Sequence, residues 1–241
     1  MKILIFENYQ ELCLKVAIFL EKRIRQNPKM VLGLASGGTV VGLYENLANF
    51  YQKKGLDFSE VKFFNLDEYL GSGIEKKNSF AYFIKKVLLN QVNSKKENIS
   101  LLNGKTKNWQ KECLFFEEKI ERAGGIDLQI LGLGANGHLA FNEPGSSFGS
   151  KCRLVKLTPQ TRQDNSRFFQ KKEDVPKEAL TLGLANILLA KEIILLANGK
   201  QKARVVKALV KGKMTKEFPC SILQQHSKVT LFLDKLAASL L

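Results

Sequence analysis

Histidine is nearly missing from this sequence: His138 and His226 are the only two among 241 residues. Any imidazole chemistry therefore has two possible sources, and a histidine-rich metal centre is excluded. The cysteines do not supply one either, because Cys13, Cys113, Cys152 and Cys220 stand far apart with no C-x-x-C pair. Such spacing argues against a structural zinc site and a disulfide framework, and predicts reduced, mostly buried thiols in a cytoplasmic protein. No apolar run reaches membrane-spanning length, and the N-terminal I-L-I-F is broken at once by Glu7 and Asn8. Neither a signal segment nor a membrane partner is expected. Linkers rich in Pro, Gly or Ser, low-complexity runs and internal repeats are also lacking, which predicts one domain over residues 1–241. There is no Walker loop and no G-x-G-x-x-G fingerprint, so a nucleotide is not the expected ligand. Acidic residues are the minority, 23 against 38 basic, for a formal charge of +15. The lysines recur as scattered pairs such as Lys53-Lys54 and Lys171-Lys172, without an arginine-aromatic stripe or helix-turn-helix, so no nucleic-acid partner is expected. A generally basic surface keeps the chain soluble and draws in small anions.

What is present reads as strands alternating with helices. Lys2 to Phe6, Met30 to Leu34, Val61 to Leu66 and Glu192 to Ala197 read as strands, the last of them buried, and Ile126 to Leu133 is an apolar run without polar alternation, the mark of a strand covered on both faces. Between them, Leu12, Val16, Phe19, Leu20 and Ile24 recur at helical spacing, as do Val40, Leu43, Tyr44, Leu47 and Tyr51. The pattern predicts an α/β fold, an open and mostly parallel sheet flanked by helices in a Rossmann-like arrangement. Further along, Asn78 to Leu89 is expected to be a helix, Pro176 to Leu189 a turn and helix, and Ser221 to Gln225 and Val229 to Leu233 two short strands.

Open α/β sheets bind ligands beyond the carboxyl ends of their strands, and three such ends carry polar residues. After Leu133 the loop holds Asn136, His138, Asn142 and Glu143, spaced by glycines and Pro144. Here His138 is a candidate acid or base, with Glu143 able to orient its ring or share its proton. After Leu34, Ser36-Gly37-Gly38-Thr39 opens a helix, which aims backbone N–H groups and a helix dipole at an anion. The lack of a nucleotide motif makes a phosphate monoester the better fit. After Leu66 comes Asp67, a candidate carboxylate base. Two cations join this set: Arg167, set among Phe168 and Phe169, and Lys202, in the first turn of a helix where a cation opposes the macrodipole unless an anion shares the place. Together these groups suit proton transfers on a small phosphorylated substrate.

The segments that carry these residues are LGLASGGTVVGLY, FFNLDEYLG, GGIDLQILGLGANGHLAFNEPGSSF, NSRFF, VPKEALTLGL and NGKQKA. In this order, over nearly the whole chain, they resemble the glucosamine-6-phosphate deaminases, also called glucosamine-6-phosphate isomerases. The resemblance implies a sugar-phosphate isomerase type of fold and a cofactor-free reaction that turns glucosamine 6-phosphate and water into fructose 6-phosphate and ammonia. It implies that His138 assists opening of the sugar ring, supported by Asn136 and Glu143, and that Asp67 removes the C2 proton. It assigns phosphate binding to Ser36, Gly37, Gly38, Thr39, Arg167 and Lys202, and needs no metal.

Departures from the family pattern carry expectations of their own. Some members have aspartate where this chain has Asn136; an amide holds no negative charge against an imidazolium, so His138 should be less basic here. Ala35 and Val40 stand where prolines are frequent in the family. The chain ends soon after Leu233, whereas the longer, allosterically regulated hexameric relatives continue, which implies an unregulated enzyme and a monomer, with a homo-oligomer as the other outcome. Two other functions share the fold. A 6-phosphogluconolactonase-like hydrolase would need no C2 base. A non-catalytic sugar-phosphate sensor would carry a DNA-binding module ahead of the first strand, which begins at Lys2 here.

Overall fold

The computed structural model describes residues 1–241. Ten strands follow one another: β1 (Lys2–Phe6), β2 (Val31–Leu34), β3 (Lys62–Asn65), β4 (Asp67–Tyr69), β5 (Ile99–Ser100), β6 (Leu128–Gly132), β7 (Arg153–Lys156), β8 (Glu178–Thr181), β9 (Glu192–Ala197) and β10 (Val229–Asp234). Seven α-helices intervene: α1 (Tyr9–Gln26), α2 (Val41–Lys54), α3 (Phe80–Ile84), α4 (Trp109–Arg122), α5 (Pro159–Asn165), α6 (Leu184–Leu188) and α7 (Ala203–Lys211). Local chemistry sets their limits. Helix α1 starts where the Asn8 side chain accepts the Glu11 N–H at 2.9 Å, and it buries Leu12, Val16, Leu20 and Ile24 on one stripe. Every residue of β9 is buried, which is why its sequence shows no alternation.

Seven strands form one sheet in the order β1-β10-β9-β6-β2-β3-β5, and each neighbouring pair is parallel. From β2 the chain winds outward through β3 to β5, returns to the centre at β6, and then winds the other way through β9 to β10. The reversal lies between β2 and β6, where an open sheet leaves a crevice at its carboxyl rim. No helix is long and apolar enough to cross a membrane.

A second sheet, antiparallel with the order β4-β8-β7, stands beside the first. It corrects two expectations. Glu178–Thr181 is a strand rather than part of a helix, and α6 begins only at Leu184. Ala179 and Leu180 are buried apolar residues equally compatible with either element; pairing to both β4 and β7 decides for the strand. Ser221 to Gln225 is no strand either, since Pro219 opens a 3-10 helix that runs to Gln225. The expected helix at Asn78 to Leu89 is split: α3 ends at Ile84 and a wider π turn covers Lys85–Leu89.

Most of the interior is one cluster of 56 buried residues around the large sheet. A smaller cluster of Tyr69, Phe141, Leu157 and Ala179 packs under the small sheet, with the Tyr69 ring centroid 4.7 Å from Phe80 and 5.6 Å from Phe141. All four cysteines are free and buried. His226, expected to be structural, bonds the Ala190 carbonyl through Nε2 at 2.7 Å and accepts the Lys228 N–H at 3.1 Å.

Candidate active site

Strands β9, β6, β2 and β3 are consecutive in the large sheet, and the residues singled out above leave their carboxyl ends. At the usual spacing of about 4.8 Å, the outer two of these four lie only about 14 Å apart. Lys202 follows β9, the segment Asn136 to Glu143 follows β6, Ser36 to Thr39 follow β2, and Asp67 follows β3. Parallel pairing therefore gathers all of them on one rim.

The Ser36 to Thr39 turn passes through Gly37 at φ 102°, a conformation costly for any residue with a Cβ, and then coils into α2 through Gly38–Val40. Its back is held by Tyr9, a residue that nothing in the sequence singled out. The Tyr9 hydroxyl donates to the Gly38 carbonyl at 3.1 Å and accepts the Gly42 N–H at 3.0 Å. The turn before Lys202 has a similar latch, also unforeseen. Both oxygens of the buried Asp234 carboxylate accept the Gly199 N–H, at 3.0 and 2.9 Å, and the Gly199 carbonyl accepts the Lys202 N–H at 3.0 Å. Burial holds the Lys202 ammonium below its ordinary value, Asp164 opposes that shift, and Arg167 adds to it. Arg167, set among aromatic residues in the sequence, is exposed, its guanidinium 4.8 Å from the Phe168 ring centroid. Two cations within Coulombic reach of each other leave a place that an anion would relieve.

Asp67 is 6% exposed. Burial pushes its carboxyl up to about 8, the neighbouring Glu68 adds to the rise, and the Ser36 hydroxyl opposes it. Ser36 thus bonds Asp67 while belonging to the glycine turn. Side chains alternate along β4, so Glu68 points away from Asp67 and accepts the N–H groups of Tyr69, Phe80 and Ala81 at 2.9, 3.1 and 2.8 Å. Burial pushes Glu68 up to about 7 in spite of those three donors.

Strand β8 ties Asp67 to the His138 loop. Thr181 pairs with Asp67 in the small sheet, and its hydroxyl accepts the Phe141 N–H at 3.2 Å. Next to it, the fully buried Asn142 donates to the Leu182 carbonyl at 2.8 Å and accepts from Arg153 at 2.8 Å. Asn142 is thus a fastener of the loop. Between these anchors Ala140 is held at φ 51°, a left-handed conformation that costs about 1 kcal/mol for a residue with a side chain.

Within the loop the polar groups form a directed chain. Asn136 Oδ1 accepts the His138 backbone N–H at 3.2 Å and lies 2.7 Å from Nδ1, while Asn136 Nδ2 donates to Glu143 Oε2 at 2.8 Å. Only one orientation of the amide serves these partners. Nδ1 of His138 therefore carries the hydrogen and Nε2 keeps its lone pair. Glu143 does not orient the ring directly, as the sequence suggested: its Oε2 is 3.8 Å from Nδ1, too far for a hydrogen bond, and Asn136 stands between them. The second oxygen, Oε1, accepts the hydroxyl of the buried Thr161, and Thr158 in turn donates to Thr161 Oγ1 at 3.1 Å. Burial lowers the basicity of His138, Glu143 opposes that effect, and Lys202 reinforces it. Gly134 lies under the ring, where a Cβ would come within 2.4 Å of the imidazole. The rim thus holds a carboxyl that exchanges its proton near neutral pH, a neutral imidazole with an open nitrogen, and a pair of cations beside a glycine turn.

Comparison with known proteins agrees with this chemistry. Residues 7–232 match the family of glucosamine-6-phosphate isomerases/6-phosphogluconolactonase. A glucosamine-6-phosphate deaminase of Thermoanaerobacter sp. (strain X514) is 46% identical over 241 residues, covering 100% of this chain and 95% of the relative. One from Alkaliphilus oremlandii (strain OhILAs) is 47% identical over 235 residues, 98% of each chain. The solved structure of a monomeric glucosamine-6-phosphate deaminase superposes with a TM-score of 0.98 at 40% identity, over 100% of both chains. A 6-phosphogluconolactonase from Thermotoga maritima shares the fold alone, with a TM-score of 0.77 at 22% identity over 97% of this chain and 99% of the other. This chain belongs to the glucosamine-6-phosphate isomerase/6-phosphogluconolactonase family.

Proposed function

We propose that this protein is a glucosamine-6-phosphate deaminase, an enzyme that converts glucosamine 6-phosphate and water to fructose 6-phosphate and ammonia. The observation that carries the reading is Asp67, a carboxyl held in reach of neutral pH beside the crevice, because lactone hydrolysis needs no such base at C2. Its relatives at 46% and 47% identity, over 100% and 98% of the chain, bear the same name.

The phosphate is gripped by the turn Ser36, Gly37, Gly38 and Thr39 together with Arg167 and Lys202, the two cations whose mutual repulsion it relieves. His138 Nε2 moves the proton between the anomeric hydroxyl and the ring oxygen as the sugar opens. Asn136 and Glu143 hold the Nδ1 hydrogen and stabilise the imidazolium formed in passing. Asp67 then takes the C2 proton of the open aldose and delivers it to C1. The C2 amine becomes an imine, water adds to that carbon, and ammonia leaves. Fixed donors around the crevice stabilise the charge that develops at O1. The solved relative at 40% identity is a monomer, and the same state is proposed for this chain, to be checked as a 27.1 kDa species by light scattering.

The test is direct. Purified protein should release ammonia from glucosamine 6-phosphate and leave 6-phosphogluconolactone untouched. Lactone hydrolysis without ammonia release would reverse the reading, and binding of the sugar phosphate with neither reaction would favour a sensor.

A further inference from the structure

The hydrogen-bond chain that starts at His138 does not stop at Glu143, and its last members lie on a different element. Thr161 belongs to α5, whose first residues are capped by Thr158: the Thr158 hydroxyl oxygen accepts the Thr161 N–H at 3.1 Å. The hydroxyls themselves run the other way. Thr158 donates to Thr161 Oγ1 at 3.1 Å, which leaves the Thr161 hydrogen a single acceptor, Glu143 Oε1. With Asn136 Nδ2 on Oε2, each oxygen of Glu143 then has one donor from the protein, one from the His138 loop and one from α5. Thr161 is 5% exposed, so water does not stand in for its hydroxyl. Helix α5 ends at Asn165, and the Ser166–Phe168 turn that follows directly carries Arg167.

We propose that Thr161 is a positioning residue for the deaminase reaction: its hydroxyl fixes the Glu143 carboxylate, and so the Asn136 amide and the His138 tautomer, to the element that presents Arg167 to the phosphate. The inference rests on the deaminase reading given above. The physical reason is directional. Without the Thr161 donor the Glu143 carboxylate is free to turn, Asn136 loses the acceptor that sets its amide orientation, and His138 Nδ1 no longer has a single partner. The link also joins the two ends of the substrate, because the helix that supplies Thr161 leads directly to the arginine at the phosphate end.

Valine at position 161 keeps the shape and removes the hydroxyl, and it leaves the backbone N–H that Thr158 caps. Thr161→Val should lower kcat about 10-fold to 100-fold, the scale on which a misplaced catalytic group acts, while KM for glucosamine 6-phosphate moves much less. Thr161→Ser keeps the donor and should recover most of the lost turnover. In a Glu143→Ala background, which lacks both acceptor oxygens, the same Thr161→Val change should cost nothing further, since it acts only through Glu143. Full kcat in Thr161→Val, or equal losses in both backgrounds, would overturn the proposal; Thr161→Ala replaces valine if that variant does not fold. Failure of the wild type to release ammonia would instead refute the deaminase reading, so the two failures are separable.

Discussion

As the proposed base, Asp67 answers two opposed demands at one residue. A base that removes a carbon-bound proton works best when its basicity is well above that of an ordinary carboxylate, and burial supplies that rise, to about 8. The same burial makes the charged form costly. The neutral carboxyl contributes stability that is complete below the ordinary carboxylate range and is lost as the pH climbs toward 8. Asp67→Asn removes that loss. It should abolish ammonia release while sugar-phosphate binding persists, and it should raise Tm at pH 8 relative to the wild type, by about 2–4 °C for each kcal/mol relieved. An unchanged or lower Tm at pH 8, with no difference between pH 5 and pH 8, would show that Asp67 bears no such penalty. In the wild type, kcat/KM should climb with pH as the free enzyme's Asp67 ionises, with the limb centred near its value of about 8. A limb in the ordinary carboxylate range would remove Asp67 from the role of base. His138, Asn136 and Glu143 could be read as a group from their spacing in the sequence. Their order of contact could not, because the amide between ring and carboxylate is a matter of side-chain placement.

At the scale of elements, each turn proposed to bind the phosphate is backed by one side chain from elsewhere in the chain. Tyr9 holds the glycine turn after β2, and Asp234 holds the turn after β9. Neither was legible, since a latch is an ordinary residue made important only by what tertiary folding sets beside it. Asp234→Ala should raise KM about 10-fold with a smaller effect on kcat, because it loosens Lys202 and leaves the proton-transfer groups in place. Inhibition by inorganic phosphate should weaken in step; an unaltered inhibition constant would separate the latch from the anion site. Gly134 belongs to the His138 loop and should behave in the opposite way. Gly134→Ala puts a methyl group against the imidazole and should lower kcat with little effect on phosphate inhibition. The strand-turn-helix at β2 and the strand-loop at β6 were readable because glycines and polar residues interrupt a strong apolar pattern there. Strand β8 was not, since four residues with buried Ala179 and Leu180 carry no period that separates helix from strand.

The whole molecule places its site where the winding of the large sheet reverses, and the small sheet closes that place from one side. The first of these followed from strand order and parallel pairing, which the alternating pattern of the sequence anticipated. The second did not, since β4, β7 and β8 are three or four residues each, and β4 pairs with β8 across more than a hundred positions. Thr181 ties the small sheet to the loop after β6, so a fault there is felt on both sides of the crevice. Thr181→Val keeps the volume but leaves the Phe141 N–H without its acceptor, and should destabilise the protein by about 1–3 kcal/mol in urea unfolding. A midpoint equal to wild type would mean that the loop is secured by Asn142 alone.

Asp234 closes the last strand, yet the turn it fastens lies 35 positions earlier in the chain. During synthesis the proposed proton-transfer groups at positions 67 and 138 leave the ribosome long before that fastener does. A growing polypeptide therefore carries its proton-transfer groups before the latch behind Lys202 exists, and it should hold a sugar phosphate less tightly until Asp234 has been added.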